Sequence, residues 1–186
     1  MPFNINQFKS QLTSGGARPN LFEVQIPLPI DLKVSSEISS TYPREFTFMC
    51  KAASIPASSV SEIEIPFKGR KLYSSGNRTY EPWSVTVIND ENFLIRSAFE
   101  KWLEAINGPI TNEKNSGLLS RPNSYQVDGV VKQFSQRGDI IRIYKFSNLF
   151  PTDISSIELS WDETDTIEEF QVTFRYDYWK ISEANE

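Results

Sequence analysis

The stretch FQVTFRYDYW, residues 170–179, decides the fold class. Apolar or aromatic side chains fill alternate positions of its later part, namely Val172, Phe174, Tyr176 and Tyr178. Alternation with a period of two places successive side chains on opposite faces of a β-strand. We therefore predict a strand here, with one face against the core and the other against a polar environment.

The same alternation recurs along the chain and predicts a mostly β domain. Further strands are predicted at 22–26, 46–50, 62–67, 83–87, 127–134 and 140–146. Polar segments with a glycine join two pairs of these strands, because such residues adopt the backbone angles of tight turns. One turn is predicted at 74–77 (SSGN), which closes a hairpin that begins near residue 62, and the other at 136–139 (QRGD).

Helical spacing is found in two places. A long helix is predicted after Asp90, a residue type that caps helices, from apolar residues three or four positions apart: Ile95, Phe99, Trp102 and Ile106. Its wide apolar stripe predicts packing against the sheets. A short helix is predicted near the N-terminus from Ile5, Phe8 and Leu12.

Residues 28–44 match neither the helical nor the strand period. Pro27, Pro29 and Pro43 surround a serine-rich middle, and prolines interrupt regular secondary structure. We predict that residues 28–44 form a surface insertion that is dispensable for folding.

Composition excludes several classes of function. The chain of 186 residues has no histidine, which removes serine–histidine and cysteine–histidine hydrolase mechanisms. Its single cysteine, Cys50, can form neither an intramolecular disulfide nor a cysteine-based zinc site. The net charge of -5 argues against a duplex-binding domain. We expect a soluble protein made in the cytoplasm, because the start MPFNINQF is unlike a secretory signal and no stretch is long enough to cross a bilayer.

Two short motifs have simpler explanations than the functions they suggest. The acidic run 162–169 lacks the glycine and the bidentate acid of a calcium loop, because Ile167 and Thr173 stand at those positions. We predict a solvated turn between two strands instead. The tripeptide RGD at 137–139 suits a hairpin turn and is too short to indicate cell adhesion.

Three tryptophans could form a carbohydrate-stacking platform, but each adjoins an alternating strand: Trp83, Trp161 and Trp179. Aromatic side chains in such places normally fill a core or an interface, which is the favoured interpretation. Phosphate-binding loops, zinc spacings and nucleophile elbows are missing from the sequence. No catalytic, cofactor-binding or metal site is predicted.

Several strings resemble the tail tube protein family of T-even-type contractile-tailed bacteriophages, in the same order and across nearly the whole chain. They are ARPNLFEV at 17–24, FTF at 46–48, CKA at 50–52, IPA at 55–57, GRK at 69–71, GNRT at 76–79, WSVTVINDE at 83–91, LFPT at 149–152, LSWD at 159–162 and FQVTFRYDYW at 170–179. Each string is short, so their number and order carry the resemblance. Residues 28–44 depart from it, because they are longer than the family pattern.

The resemblance implies a mainly β fold with one flanking helix, a sandwich or barrel of two packed antiparallel sheets. Siphophage tube proteins and the haemolysin co-regulated protein of type VI secretion share that fold. The resemblance also implies one domain over residues 1–186, no cofactor and no enzymatic activity. It further implies hexameric rings that stack into a tube inside a contractile sheath, in a virion tail assembled in the host bacterial cytoplasm.

The implied partners are further copies of the chain, the tail sheath protein, and the baseplate hub and tail terminator proteins. DNA would pass through the lumen without tight binding, and no membrane is involved. Two other functions stay open at this point. One is the inner tube or the baseplate-proximal tube initiator of a phage-derived contractile injection system, and the other is a carbohydrate-binding β-sandwich module.

The segment 54–80 is the predicted contact surface between subunits. It carries more apolar surface than a free loop should show to water, together with cations that can pair with acids of a neighbour. The interface candidates are Ile63, Ile65, Phe67, Arg70, Lys71, Tyr73 and Arg78. The alternative is that this hairpin folds back on the sheet of its own subunit.

Overall fold

The computed structural model describes residues 5–11, 16–32, 36–110, 112 and 121–182. Four helices and nine strands lie in these ranges. In chain order they are α1 Ile5–Gln11, β1 Phe22–Gln25, α2 Ser36–Met49, β2 Cys50–Ala53, β3 Ser59–Phe67, β4 Arg70–Thr79, β5 Trp83–Ile88, α3 Leu94–Ile106, α4 Pro122–Tyr125, β6 Val127–Phe134, β7 Ile140–Ile154, β8 Glu169–Arg175 and β9 Tyr178–Ser182.

The strands form two antiparallel sheets that share one long strand, β7. The first sheet contains β1, β6, the first part of β7, and β9. The second contains the last part of β7, then β8, β5 and β2. Between the two parts of β7 lies Asn148, whose φ of 58° lets the strand pass from one sheet to the other. The predicted fold of two packed antiparallel sheets is confirmed.

The core lies between the two sheets and under the helices. Trp83 of β5 stacks on Phe146 of β7 with ring centroids 4.5 Å apart, which joins the second sheet to the first. The helix α3 closes one side, with a buried stripe of Leu94, Ile95, Ala98, Phe99 and Trp102. This confirms the predicted long helix. Asp90 assists its first turn, because its Oδ1 accepts the backbone N–H of Leu94 at 3.2 Å.

The prediction of a surface insertion at 28–44 is wrong for the part that forms α2. Ile38, Tyr42 and Phe46 are spaced four residues apart, so they lie on one face of the helix, and all three are buried in the core. Phe48 points outward and is 76% exposed, so the predicted strand at 46–50 is also wrong. The residues that alternate at 46–50 are divided between two elements, since 46–49 end α2 and Cys50 begins β2.

Two further predictions need correction. The hairpin of β3 and β4 turns at Lys68 and Gly69, which have φ of 44° and 82°, whereas residues 74–77 lie inside β4. Paired positive φ values give the backbone twist that suits a two-residue hairpin turn. The single strand predicted at 170–179 is two strands, because the chain leaves the second sheet after Arg175 and joins the first as β9.

Other predictions are confirmed or lie partly outside the described residues. The turn at 136–139 connects β6 to β7, with Gly138 at a φ of 91°. The short helix α1 is present, with Ile5 and Phe8 exposed, whereas Leu12 lies outside the described residues. Among the described helices, none has the length and apolar character that a bilayer crossing requires.

Candidate assembly surface

The hairpin formed by β3 and β4 is exposed along nearly its whole length. The two strands pair with each other as a separate two-stranded sheet. Every residue of β3 is exposed, and so is every residue of β4 except Gly76. All the predicted interface residues lie on this hairpin: Ile63, Ile65, Phe67, Arg70, Lys71, Tyr73 and Arg78.

The strand register divides the hairpin into two chemically different faces. Directly paired residues of antiparallel strands share a face. The pairs Ile63–Ser74, Ile65–Leu72 and Phe67–Arg70 therefore form one face, which is mainly apolar. The pairs Glu62–Ser75, Glu64–Tyr73 and Pro66–Lys71 form the other, which is mixed. We call the first set the apolar face of the hairpin.

The cations of the hairpin differ in their partners. Lys71 forms an ion pair of 2.9 Å with Glu64 on the mixed face. Both groups are exposed, so this pair contributes little to folding. For Arg70 and Arg78, no carboxylate in the described part of the chain lies within ion-pair distance. These two guanidinium groups are therefore available to a partner.

Aromatic residues of both sheets hold the root of the hairpin. The indole N–H of Trp83 in β5 donates to the carbonyl oxygen of Ser54 at 2.8 Å. The indole N–H of Trp179 in β9 donates to the carbonyl oxygen of Ala57 at 3.2 Å. On the returning strand, Tyr80 contacts the ring of Tyr176 with centroids 5.9 Å apart. The core therefore fixes where the hairpin leaves the domain.

A bulge near the base gives the hairpin its local shape. The register shifts between Val60 and Glu62, where Gly76 and Asn77 of the bulged strand β4 lie opposite the single residue Ser61 of β3. A Cβ atom on Gly76 would collide with the Ser61 hydroxyl oxygen and lie 2.9 Å from the Ser61 carbonyl oxygen. Glycine is thus required by this close approach of two backbones.

Two buried groups near α2 have strongly shifted acidities. Burial raises the pKa of the Cys50 thiol from an ordinary 9.0 to about 12. Burial, with a smaller contribution from Cys50, also raises the pKa of Tyr42 well above its usual value. Both groups are thus neutral at physiological pH, and the thiolate needed for nucleophilic chemistry is suppressed. In the described part of the chain, no group of three or more His, Cys, Asp or Glu side chains is placed to hold a metal ion.

One exposed apolar feature of the structure is not predicted from the sequence. A solvated acidic turn is predicted between β7 and β8, and Asp162, Glu163 and Asp165 are exposed there, whereas Glu168 and Glu169 are half-buried. The same loop also presents Leu159 and the fully exposed Trp161 to solvent. Ile157, Leu159 and Trp161 alternate with polar residues as in a strand, so the sequence gives no signal that separates an exposed Trp161 from a packed one.

Solved structures with the same fold belong to contractile machines. The PVC sheath–tube complex of an extracellular contractile injection system, in the extended state, matches with a TM-score of 0.58 and 16% identity over 93% of this chain and 96% of that one. A chain of the anti-feeding prophage baseplate matches with a TM-score of 0.60 and 10% identity, over 91% and 97% of the two chains. These likenesses show the fold.

Sequence comparison shows the family. The family described as phage tail tube protein matches residues 17–182. Tail tube protein gp19 of Enterobacteria phage T4 is 34% identical over 165 residues, which cover 88% of this chain and 91% of that protein. The chain therefore belongs to the phage tail tube protein family, whose members are structural components of the tail.

Proposed function

We propose that this chain forms hexameric rings that stack into the inner tube of a contractile tail, a conduit for genome ejection into the host. The observation that carries the proposal is an apolar hairpin face held out from the domain on a fixed root. Ile63, Ile65 and Leu72 on that face are each about half exposed. Contiguous apolar surface of this kind marks a contact with another protein.

Open strand edges also support self-assembly. β1 pairs with β6 alone and β2 pairs with β5 alone, so each leaves one edge without a strand partner in the described ranges. Unpaired edges expose backbone N–H and C=O groups that favour pairing with another chain. Pairing between neighbouring subunits around a ring would satisfy these groups and close the sheets into one barrel.

The charge of the chain suits a conduit for DNA. With a net charge of -5, the chain lacks the excess of cations that binds phosphates by counterion release. A neutral or acidic lumen would repel the DNA backbone within a Debye length of about 8 Å at physiological salt. DNA would then pass without tight binding.

The partners follow from this role. Besides further copies of the chain, they are the tail sheath protein around the tube, the baseplate hub at one end and the tail terminator at the other. Proteins with this fold occur in a sheath–tube complex, a tube-terminating cap and a baseplate. An inner tube or tube initiator of a phage-derived injection system would use the same surfaces.

A carbohydrate-binding module is disfavoured by the positions of the tryptophans. Trp83 is only 2% exposed, and the indole of Trp179 is engaged by the root of the hairpin. Of the three residues that could have formed a stacking platform, only Trp161 is fully exposed. One isolated ring does not make a platform for successive sugars.

Electron microscopy of the purified protein tests the proposal, alone and with baseplate seeds. We expect rings or tubes of uniform diameter. Replacing the directly paired residues Ile65 and Leu72 by serine should abolish assembly and leave the melting temperature of the subunit unchanged, because neither residue is in the core. The matched control is Phe48→Ser on the exposed face of α2, away from the hairpin, which should assemble.

Two results would contradict the proposal. One is a wild-type protein that stays monomeric both alone and with seeds. The other is an Ile65→Ser, Leu72→Ser variant that assembles as the wild type does, since the apolar face would then be dispensable.

A further inference from the structure

The loop 155–168 between β7 and β8 combines acidic and apolar groups on one exposed surface. It contains no lysine or arginine, and its acids are Glu158, Asp162, Glu163, Asp165 and Glu168. Its exposed apolar residues are Leu159, Trp161 and Ile167. We call this segment the acidic loop. A fully exposed tryptophan among acids indicates a binding surface more than a solvated connection.

Hydrogen bonds fix both ends of the acidic loop to the second sheet. Ser155 donates its N–H to the Gln171 carbonyl oxygen at 2.8 Å and accepts the Gln171 N–H on its hydroxyl at 2.8 Å. At the other end, Asn89 donates its backbone N–H to the Glu168 carbonyl oxygen at 2.9 Å and its side-chain amide to the carboxylate at 2.9 Å. Both ends of the acidic loop are therefore held in place by the sheet.

The acidic loop also encloses a shallow cavity of about 420 Å³. Its apolar lining comes from Ile157, Leu159 and Ile167, and carboxylates of Glu158 and Glu163 stand at the same cavity. Such a lining suits an apolar side chain flanked by cations. The tip of the hairpin, PFKGRK at 66–71, has that composition, with exposed Phe67 between apolar neighbours and cations.

The hairpin and the acidic loop lie at opposite ends of the second sheet. Trp83, at the start of β5, holds the root of the hairpin. Ile88, at the end of β5, pairs with Glu169, which directly follows the acidic loop. The six residues of β5 span roughly 17 Å at about 3.3 Å per residue. Trp161 is fully exposed, so the hairpin tip of its own subunit does not cover it. A contact between the hairpin tip and the acidic loop therefore joins two different subunits.

We propose that the hairpin tip of one subunit seats in the acidic loop of a second copy of this chain and links one ring to the next. The inference rests on the proposed self-assembly and names the two surfaces that make the stacking contact. Because the surfaces are different and lie at opposite ends, the contact is head-to-tail and leaves a free tip and a free loop at the two ends of every stack. Contacts of this kind produce open-ended polymers.

Charge complementarity supports a second copy as the occupant. Lys68 and Arg70 at the tip form no ion pair with any carboxylate in the described residues, and neither do Glu158, Asp162 and Glu163 in the loop. Docking brings these opposite charges together, which fixes register and orientation. The exposed face of Trp161 can also receive the Arg70 guanidinium.

A charge exchange between two variants tests this contact. The tip variant carries Lys68→Glu and Arg70→Glu, and the loop variant carries Asp162→Lys and Glu163→Lys. Each variant alone juxtaposes like charges, so polymer in the pellet after sedimentation should fall by about tenfold or more. A mixture should polymerise again, because the reversed tip fits the reversed loop and the native tip fits the native loop.

The control is Arg137→Glu in the exposed turn between β6 and β7, a comparable charge reversal that should leave polymerisation unchanged. A tip or loop variant that polymerises alone, or a mixture that fails to polymerise, would overturn the stacking contact even though wild-type rings and tubes form. A loop variant that stacks normally but no longer binds the sheath would overturn it in favour of a sheath contact. Absence of rings and tubes from the wild type would instead contradict the proposed function.

Cross-linking gives an independent measurement that does not depend on charge. Lys68→Cys and Asp162→Cys in one chain place a thiol at the tip and another in the loop, while native Cys50 is buried. Oxidised tubes should give a ladder of covalent multimers on a denaturing gel. The matched control replaces Lys68→Cys by Arg137→Cys and should give monomers. Monomers from the first pair would count against the contact.

Discussion

Trp83 donates its indole N–H to the carbonyl oxygen of Ser54 at 2.8 Å, so a fully packed core residue holds the first residue of the exposed segment. The same indole stacks on Phe146 of the other sheet at 4.5 Å between centroids. The orientation of the hairpin root is therefore coupled to the packing of the two sheets. An assembly contact at the tip of a hairpin benefits from a fixed root, because a mobile hairpin would lose conformational entropy on binding.

Trp83→Phe should separate the effect of the indole hydrogen bond to Ser54 from the effect of ring packing against Phe146. Phenylalanine keeps an aromatic ring beside Phe146 but removes the N–H donor, so the Ser54 carbonyl loses its partner. We expect the free energy of unfolding to fall by about 1–3 kcal/mol from the lost hydrogen bond and volume. The amount of polymer formed at equal protein concentration should fall by more than this loss of stability accounts for. Urea unfolding and sedimentation of polymer measure the two effects.

The control for Trp83 is Trp161→Phe, which changes a fully exposed side chain. It should leave the free energy of unfolding within about 0.5 kcal/mol of the wild type. A Trp83→Phe protein as stable as the wild type would show that the indole hydrogen bond is not an anchor.

Tyr42 tests whether α2 belongs to the core. The residue is fully buried, with its ring 5.5 Å from that of Phe46 and 5.8 Å from that of Phe99. Its hydroxyl has no hydrogen-bond partner in the described part of the chain. Tyr42→Phe should therefore be neutral or stabilising by up to about 1 kcal/mol, because it removes a buried unsatisfied group. Tyr42→Ala should cost about 3–5 kcal/mol by opening a cavity.

Urea unfolding of both variants gives these values, with Phe48→Ala on the exposed face of α2 as the control. Phe48→Ala should change the free energy of unfolding by less than about 1 kcal/mol. If Tyr42→Ala were tolerated as well as Phe48→Ala, residues 36–49 would be a dispensable surface segment after all.

The misreading of α2 has a definite physical cause. Phe46, Phe48 and Cys50 alternate as in a strand, and Pro43 stands inside the helix. The competing helical set of Ile38, Tyr42 and Phe46 is equally visible in the sequence. Only the tertiary packing against α3 and the sheets decides which of the two sets of side chains is buried. By contrast, the stripe of α3 follows one period without competition, and it was predicted correctly.

The candidate assembly surface is visible in the composition of the sequence, but its geometry is not. The apolar content of 54–80 predicts a contact with another subunit on this segment, and that assignment stays a prediction. The predicted turn at 74–77 was wrong, however, so sequence alone could not divide the hairpin into its apolar and mixed faces. That division depends on the turn at Lys68 and Gly69, which fixes the register of every pair. The acidic loop was found but not its exposed tryptophan, since the placement of Trp161 depends on where β7 and β8 end.

Cys50 should make the protein less stable in alkali. Its pKa is raised from 9.0 to about 12 in the folded state, so the folded protein holds the thiol proton more tightly than the unfolded chain does. The resulting contribution to stability is fully present below about pH 9 and is lost as the pH rises towards 12. The stability advantage of the wild type over Cys50→Ala should therefore shrink across this range.

Urea unfolding at several pH values between 8 and about 11 measures this advantage, and the difference between the two proteins cancels titrations that they share. A thiol reagent at pH 8 should also react far more slowly with the native protein than with the protein in urea. A pH-independent difference in stability, or rapid labelling of the native protein, would contradict the buried position of Cys50.

Gly76→Val should damage the hairpin without damaging the core. A side chain at this position would collide with the Ser61 carbonyl oxygen, 2.9 Å from the Cβ position, and this backbone atom cannot rotate away as a side chain can. The bulge at the base of the hairpin must then open, and the two strands lose their register. Because β3 and β4 pair with no other strand in the described residues, the unfolding transition of the core should shift little. Limited trypsin digestion should accelerate at Lys68, Arg70, Lys71 and Arg78, since local opening exposes the backbone to the protease. Polymerisation should fall.

Gly138→Ala is the matched control: it also strains a turn, at a φ of 91°, but a Cβ there meets no atom within 4 Å. In the Gly138→Ala protein, trypsin should cleave the hairpin of β3 and β4 at the wild-type rate. Equal cleavage of the Gly76→Val hairpin would mean that the bulge tolerates a side chain and that the close approach does not shape the assembly surface.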